Sequence, residues 1–235
     1  MIQGKIRKTN QGFTLIELML AMTFVSVLLL AIAMTIIQAG NIYSKGMALR
    51  DINQSARLIS DDFKKTVASA GRISLDGASY ISTSVSGRLC LGNYSYLWNT
   101  IDAPGKTGVI LSSDGTPITF IKIPDPSAVY CAKNSSGGLL AQSVRADDAG
   151  KVTTLLSKGD HALAITALSV DTSNTVTDPS TGQRLFTVNY SIGTGDPRSM
   201  TQDRTACLLP NETNSDPIYC SVQRFSLVVR SGGEV

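Results

Sequence analysis

Hydrophobic and polar positions divide this chain into stretches of different period. Leu18–Ile37 runs for twenty residues without a charge, a proline or a glycine, and its only polar members are Thr23, Ser26 and Thr35. As a helix it would span about 30 Å, the hydrocarbon thickness of a bilayer. Over residues 41–70 the pattern changes. Leu49, Ile52, Ala56, Ile59, Phe63, Val67 and Ala70 recur at steps of three and four, which marks a single apolar stripe. Arg50, Asp51, Arg57, Asp61, Asp62, Lys64 and Lys65 occupy the other faces. The two stretches together predict one helix from Phe13 to Ala70, about 87 Å long. Gly71 is placed to cap its end, and Gly40 and Gly46 are candidate soft points between its halves.

Beyond Gly71 the helical period ends and Ser, Thr, Gly and Asn become dense. Arg88–Leu91, Thr107–Ser112, Ile118–Ile123, His161–Asp171, Arg184–Ile192 and Gln223–Arg230 alternate or run β-branched, and they predict strands. Ser113-Asp114-Gly115-Thr116 has the composition of a hairpin turn. A second hairpin is expected between His161–Asp171 and Arg184–Ile192, with Asn174, Asp178-Pro179 and Gly182 in its loop. One long helix followed by short strands gives an α+β class. The first half of the helix is transmembrane, and the amphipathic second half packs against a C-terminal antiparallel β-sheet domain. The 235 residues suffice for one anchor and one sizeable globular domain.

Charge sharpens the reading of the N-terminus. Lys5, Arg7 and Lys8 precede the apolar run, so that end stays cytoplasmic and the bulk of the chain lies outside. Glu17 sits at the mouth of the run, where a carboxylate is costly in lipid and marks a function. A plain signal anchor has no use for it. A secretory signal peptide cut after Ala31-Ile32-Ala33 would leave Met34-Thr35-Ile36-Ile37 unexplained.

A basic leader, Gly12, Phe13, and Glu17 four residues on, followed by the apolar run, resembles the class III signal of type IV prepilins. That family holds major pilins, minor pilins and type II secretion pseudopilins. The resemblance covers about the first fifth of the chain at full strength and the remainder only in layout. It implies that prepilin peptidase cuts between Gly12 and Phe13 and that the new Phe13 amine is methylated. It also implies that Glu17 pairs with that amine in a neighbouring subunit, where each neutralises the other in an apolar fibre core. The implied partners are other pilin subunits, the peptidase, and a pilus or secretion assembly platform in the cytoplasmic membrane. The implied layout is a leader at 1–12, a transmembrane or fibre-core helix at 13–37, its amphipathic continuation at 38–71 and a β-rich head at 72–235. Such a subunit waits in the cytoplasmic membrane and ends in an extracellular pilus. Many major pilins carry a proline and a glycine midway along this helix. Here those neighbourhoods hold Ser26 and Met34, which favours a minor pilin or a pseudopilin.

The four cysteines, Cys90, Cys131, Cys207 and Cys220, all lie on the expected outer side, and none forms a C-x-x-C pair. An even number there points to two disulfides. The sequential pairing, Cys90–Cys131 and Cys207–Cys220, is favoured over the two crossed ones, with four free buried thiols as a further alternative. The 207–220 loop holds Pro210, Asn211, Asn214, Asp216 and Pro217 and has few ways to order itself, so a staple is useful there. The resemblance adds that many pilins close a C-terminal loop in this way.

Little in the chain suggests catalysis. There is one histidine, His161, and Gly193-Thr194-Gly195-Asp196 reads as a turn, so the expectation is no enzyme and no cofactor. Asp171, Asn174 and Asp178 could offer oxygen ligands to calcium from one loop, although Asx residues are also ordinary turn formers. The formal net charge is +3, and Lys5, Arg7 and Lys8 supply three positive charges in the leader. Their removal would leave the chain near neutral, and no nucleic-acid partner is expected. Tyr94, Tyr96 and Trp98 read as a core plug, or alternatively as a sticky surface for a sugar or a partner. The function expected is that of a structural subunit of a type IV pilus-like fibre, a minor pilin, with adhesion, motility and DNA uptake all open. The alternatives are a type II secretion pseudopilin or a membrane-anchored binding domain that never polymerises.

Overall fold

A computed structural model describes residues 12–70, 79–157, 159, 161–171, 178–180 and 183–231. The leader through Gln11, the expected cap Gly71, and Asn174 and Gly182 of the expected hairpin loop lie outside them. The chain forms two compact units, one ending at Tyr43 and the other comprising Ser44–Val235.

Helix α1 (Leu15–Ser69) is 55 residues long and unbroken. It runs through Gly40 and Gly46 without interruption, so neither glycine is a break in this conformation. Its first half presents exposed Leu, Ile, Val, Met and Phe side chains on every face. The hydroxyls in that half bond within the helix: Thr23 to the Leu20 carbonyl, Ser26 to that of Met22 and Thr35 to that of Ile32. Bonded back in this way, hydroxyls cost little in lipid. The second half buries one stripe, Ala48, Ile52, Ala56, Ile59, Phe63, Thr66 and Val67. Burying Phe63 alone is worth about 2–3 kcal/mol.

The strands form two antiparallel sheets. The first contains β1 (Tyr80–Ser82), β2 (Ser86–Leu91), β3 (Tyr94–Asn99), β4 (Phe120–Pro124) and β5 (Thr153–Leu156), paired in chain order. The second contains β6 (Ala164–Asp171), β7 (Leu185–Gly193) and β8 (Val222–Arg230), again in chain order. The expected β6–β7 hairpin is present, with Asp171 opposite Thr187 and Ala164 opposite Gly193. A Thr100–Ile165 bridge and a hydrogen bond from the Tyr80 hydroxyl to the Leu168 carbonyl join the two sheets.

The main core lies between the α1 stripe and one face of these sheets, and it includes Phe63, Tyr96, Trp98, Phe120, Ile165, Tyr190 and Ile192. The opposite face of the first sheet has a core of its own, with Leu97, Ile121, Ile123, Tyr130 and Ile110. Strands β2 and β3 are therefore buried on both faces and lose the polar alternation that marks a half-buried strand.

The sequence reading differs from the fold at four places. Strands β1, β3 and β5 were not expected. The expected strand over Thr107–Ser112 does not form; only Leu111 bridges Pro117 across the Ser113–Thr116 turn. Its backbone groups go partly to side chains and partly to scattered backbone partners, the Ser112 N–H to Thr116 and the Leu111 carbonyl to Val144. The Asn99 amide takes the N–H and carbonyl of Ile110 and the Ile118 carbonyl, and the Ser86 hydroxyl takes the Gly108 carbonyl. A segment satisfied in this way has no need of a ladder.

Candidate functional site

The mouth of α1 is built by a reciprocal cap. The Thr14 hydroxyl accepts from the Glu17 N–H at 3.3 Å, and the Glu17 Oε2 accepts from the Thr14 N–H at 3.1 Å and from its hydroxyl at 2.9 Å. This is a capping box, in which two orphan donors of the first turn satisfy each other's side chains. Thr14-x-x-Glu17 is a readable signature of such a box, and sequence reasoning passed over it. Phe13, one residue upstream, is 86% exposed. A Cβ placed on Gly12 would meet nothing within 4 Å, so the fold itself makes no demand for glycine there.

The head is held by two disulfides, Cys90–Cys131 and Cys207–Cys220. The first fastens β2 to the loop that covers the outer face of its sheet. Arg88, buried in the same strand, holds that loop further. Its guanidinium donates to the carbonyls of Tyr130, Ala141 and Gln142, and burial lowers its pKa from the usual value. The buried Asp125 accepts from the Tyr130 N–H and from the Ser95 hydroxyl, so Tyr130 is held at its N–H by Asp125 and at its carbonyl by Arg88. Tyr130 is pushed up to about 12, chiefly by its own burial. The second disulfide closes a C-terminal lobe, which Arg204 ties to Asp102 through Nη2 at 2.7 Å and Nε at 3.0 Å.

Tyr96 and Trp98 are fully buried, so the aromatic cluster is core and not an exposed binding patch. The Tyr96 hydroxyl donates to Asp62 at 2.6 Å, and Lys122 Nζ reaches Asp62 at 2.9 Å and the Thr66 hydroxyl at 2.7 Å. The same ammonium sits 4.3 Å from the centre of the Tyr94 ring. Burial raises the Tyr96 pKa well above the ordinary phenol value. This cluster fixes the rotation and register of α1 on the first sheet.

His161 lies just before β6, partly buried, with Nδ1 2.9 Å from Asp51 on α1. Of the candidate calcium residues, Asp171 ends β6, and Asp178 Oδ1 accepts from the N–H and hydroxyl of Ser180, an ordinary Asx turn. Asn174 lies outside the described residues, and no group of three or more His, Cys, Asp or Glu is placed to hold a metal among the described ones.

An apolar helix long enough to cross a membrane is thus opened by a capped glutamate and continued into a disulfide-bonded α+β head. The family model described as the prokaryotic N-terminal methylation motif matches residues 7–33. With that motif at the mouth of its long apolar helix, the chain has an N-terminus of type IV prepilin-like kind. The motif supports a structural subunit of pilin-like or pseudopilin type, and it implies processing by prepilin peptidase and assembly with other pilins. Members of that family are structural subunits and not enzymes. No curated protein and no solved structure matches the chain.

Proposed function

We propose that this protein is a minor pilin of a type IV pilus-like fibre, cut between Gly12 and Phe13 and methylated on Phe13. The observation that carries the reading is the methylation motif of residues 7–33, set on a helix whose apolar half is exposed on every face. Such a surface needs lipid or other helices around it. Before assembly it would lie in the cytoplasmic membrane, and afterwards in the fibre core, with residues 72–235 outside. The open surroundings of Gly12 support a requirement imposed by a peptidase and not by the fold. The helix runs through the positions of Ser26 and Met34 without a break, which supports a minor over a major pilin.

Glu17 then has two successive partners. In the single subunit its carboxylate closes the Thr14 cap. In the fibre it meets the Phe13 amine of a neighbour, and two opposite charges enter the apolar core together and not singly.

Mass spectrometry of the N-terminus of protein from its host tests the processing step. A chain beginning at N-methylated Phe13 is expected. A terminus at Met34 or an intact Met1 would overturn the reading. Glu17→Ala should leave processing intact and cut incorporation into fibres by about tenfold or more, because breaking a buried pair costs about 3–5 kcal/mol. Normal incorporation would remove the pairing role.

A further inference from the structure

The second half of α1 sorts its charges. Asp51 faces His161 and Asp62 faces Lys122, so two of its three carboxylates turn toward the protein's own head. Apart from Lys45, which donates to the Pro217 carbonyl, its cations turn away. Arg50, Arg57 and Lys64 repeat every seven residues along the exposed face, about 10.5 Å apart along the axis, with Lys65 beside them. None of these four has an ion pair among the described residues, and Asp61 is the single carboxylate on that face. Leu58 lies in the middle, 58% exposed, in a shallow groove with Arg50, Arg57 and Asp61.

The C-terminal lobe is the converse. Its two arginines are already used, Arg204 by Asp102 and Arg198 by Asp196. Asp203, Glu212 and Asp216 remain without a cation among the described residues. Hydrogen bonds from Thr201 and Thr205 hold the Asp203 carboxyl below its usual range, and backbone N–H groups of Ile218 and Tyr219 fix Asp216. Leu209 and Tyr219 are exposed in the same lobe at 64% and 61%; Glu212 accepts from the Leu209 N–H and Asp216 from that of Tyr219. Within its own chain the lobe touches α1 at Lys45, which donates to the Pro217 carbonyl. Arg57 is twelve residues further on, about 18 Å along the helix.

We infer that the basic face of α1 around Leu58 is the docking site for the acidic C-terminal lobe of a second copy of this chain, with Leu209 seated against Leu58. The two patches match in charge and each carries an exposed apolar centre, which is the anatomy of an interface core with a charged rim. They lie on different parts of one molecule, so the contact is heterologous, and where its rotation does not return to the start it repeats as an open array. The inference rests on the fibre reading for its setting and adds which surfaces meet outside the apolar core.

The test uses the full-length chain from its host, purified in detergent, carrying both Leu58→Cys and Leu209→Cys. The native cysteines are all in disulfides, so the added thiols are the free ones. After oxidation at low ionic strength, a ladder of dimers, trimers and larger species is expected. Each single variant alone should stay monomeric, and a mixture of the two should stop at dimer. In about 1 M salt, where the Debye length is about 3 Å, the ladder should weaken by about tenfold. Arg57→Glu should abolish it, and adding Glu212→Arg should restore it. Dimers from one single variant would show like faces meeting and would overturn the inference. So would a ladder indifferent to salt, no cross-linking at all, or cross-links only to other proteins. The N-terminus of the same sample separates the two readings. Methylated Phe13 without a ladder removes this interface and leaves the pilin reading standing. A ladder from a chain that keeps Met1 supports the interface and removes the fibre reading.

Discussion

Single residues show how this protein handles polar groups in apolar places. Glu17 is capped by Thr14, and the hydroxyls of Thr23, Ser26 and Thr35 bond back to their own helix. Arg88 is the sharpest case in the head, a buried cation whose hydrogen-bond partners are all backbone carbonyls. Arg88→Leu would leave those carbonyls buried and unpaired, and should destabilise the head by about 3 kcal/mol in chemical denaturation. Arg88→Lys should recover part of that loss. The buried phenols predict an alkaline limit. Tyr130 is raised to about 12 in the folded state, and Tyr96 and Tyr190 are raised as well. A phenol free to ionise near pH 10 when unfolded favours unfolding above that value. Stability should therefore be fully present below about pH 10 and fall between about pH 10 and 12. Denaturation midpoints across that range check the sign. Tyr130→Phe should flatten the fall, and an unchanged slope would remove Tyr130 as its source.

At the scale of elements, legibility followed the period of the pattern. The α1 stripe was read almost residue for residue, because a helix with one buried face repeats a long signal. The second sheet was legible for the same reason in a period of two, with β7 alternating Phe186, Val188 and Tyr190 inward. Strand β3 was not singled out because both of its faces are buried, and Tyr94, Tyr96 and Trp98 stood out as an aromatic cluster in a loop or strand. Gly87 shows how tightly that strand is packed. It pairs with Trp98, and a Cβ there would lie 2.0 Å from the indole. Gly87→Ala should cost about 1–3 kcal/mol in thermal or chemical melting, since the indole has no free side to move to. A neutral result would mean that β2 and β3 can shift apart.

The whole molecule joins an apolar helix to a head stapled twice. The Cys207–Cys220 bridge spans 13 residues and the Cys90–Cys131 bridge 41. Opening them should cost roughly 3 and roughly 4 kcal/mol in the chain-entropy account. The loop held by Cys90–Cys131 is also gripped by Arg88 and Asp125, whereas the C-terminal lobe has little core of its own beyond Met200, Ile101 and Cys220. Replacing Cys207 and Cys220 by Ser should therefore increase proteolysis within 201–220 while leaving the rest of the head folded. Hydrogen exchange mapped along the chain checks this. Global unfolding would show that the lobe is integral to the core.

The N-terminal chemistry was carried by the sequence alone. Leader charges, Gly12, Phe13, Glu17 and the apolar run are contiguous, and a motif made of neighbouring residues needs no tertiary context to be legible. The sequence likewise set the class, because the change of period after Gly71 separates helix from strands. The tertiary structure decided which carboxylates of α1 face the head and which cations do not. It also decided where Arg88 points, why Thr107–Ser112 is not a strand, and that Tyr96 and Trp98 are core. Each of those depends on groups far apart in the chain, Arg88 with Ala141 or Asp62 with Lys122, whose meeting leaves no local period to read.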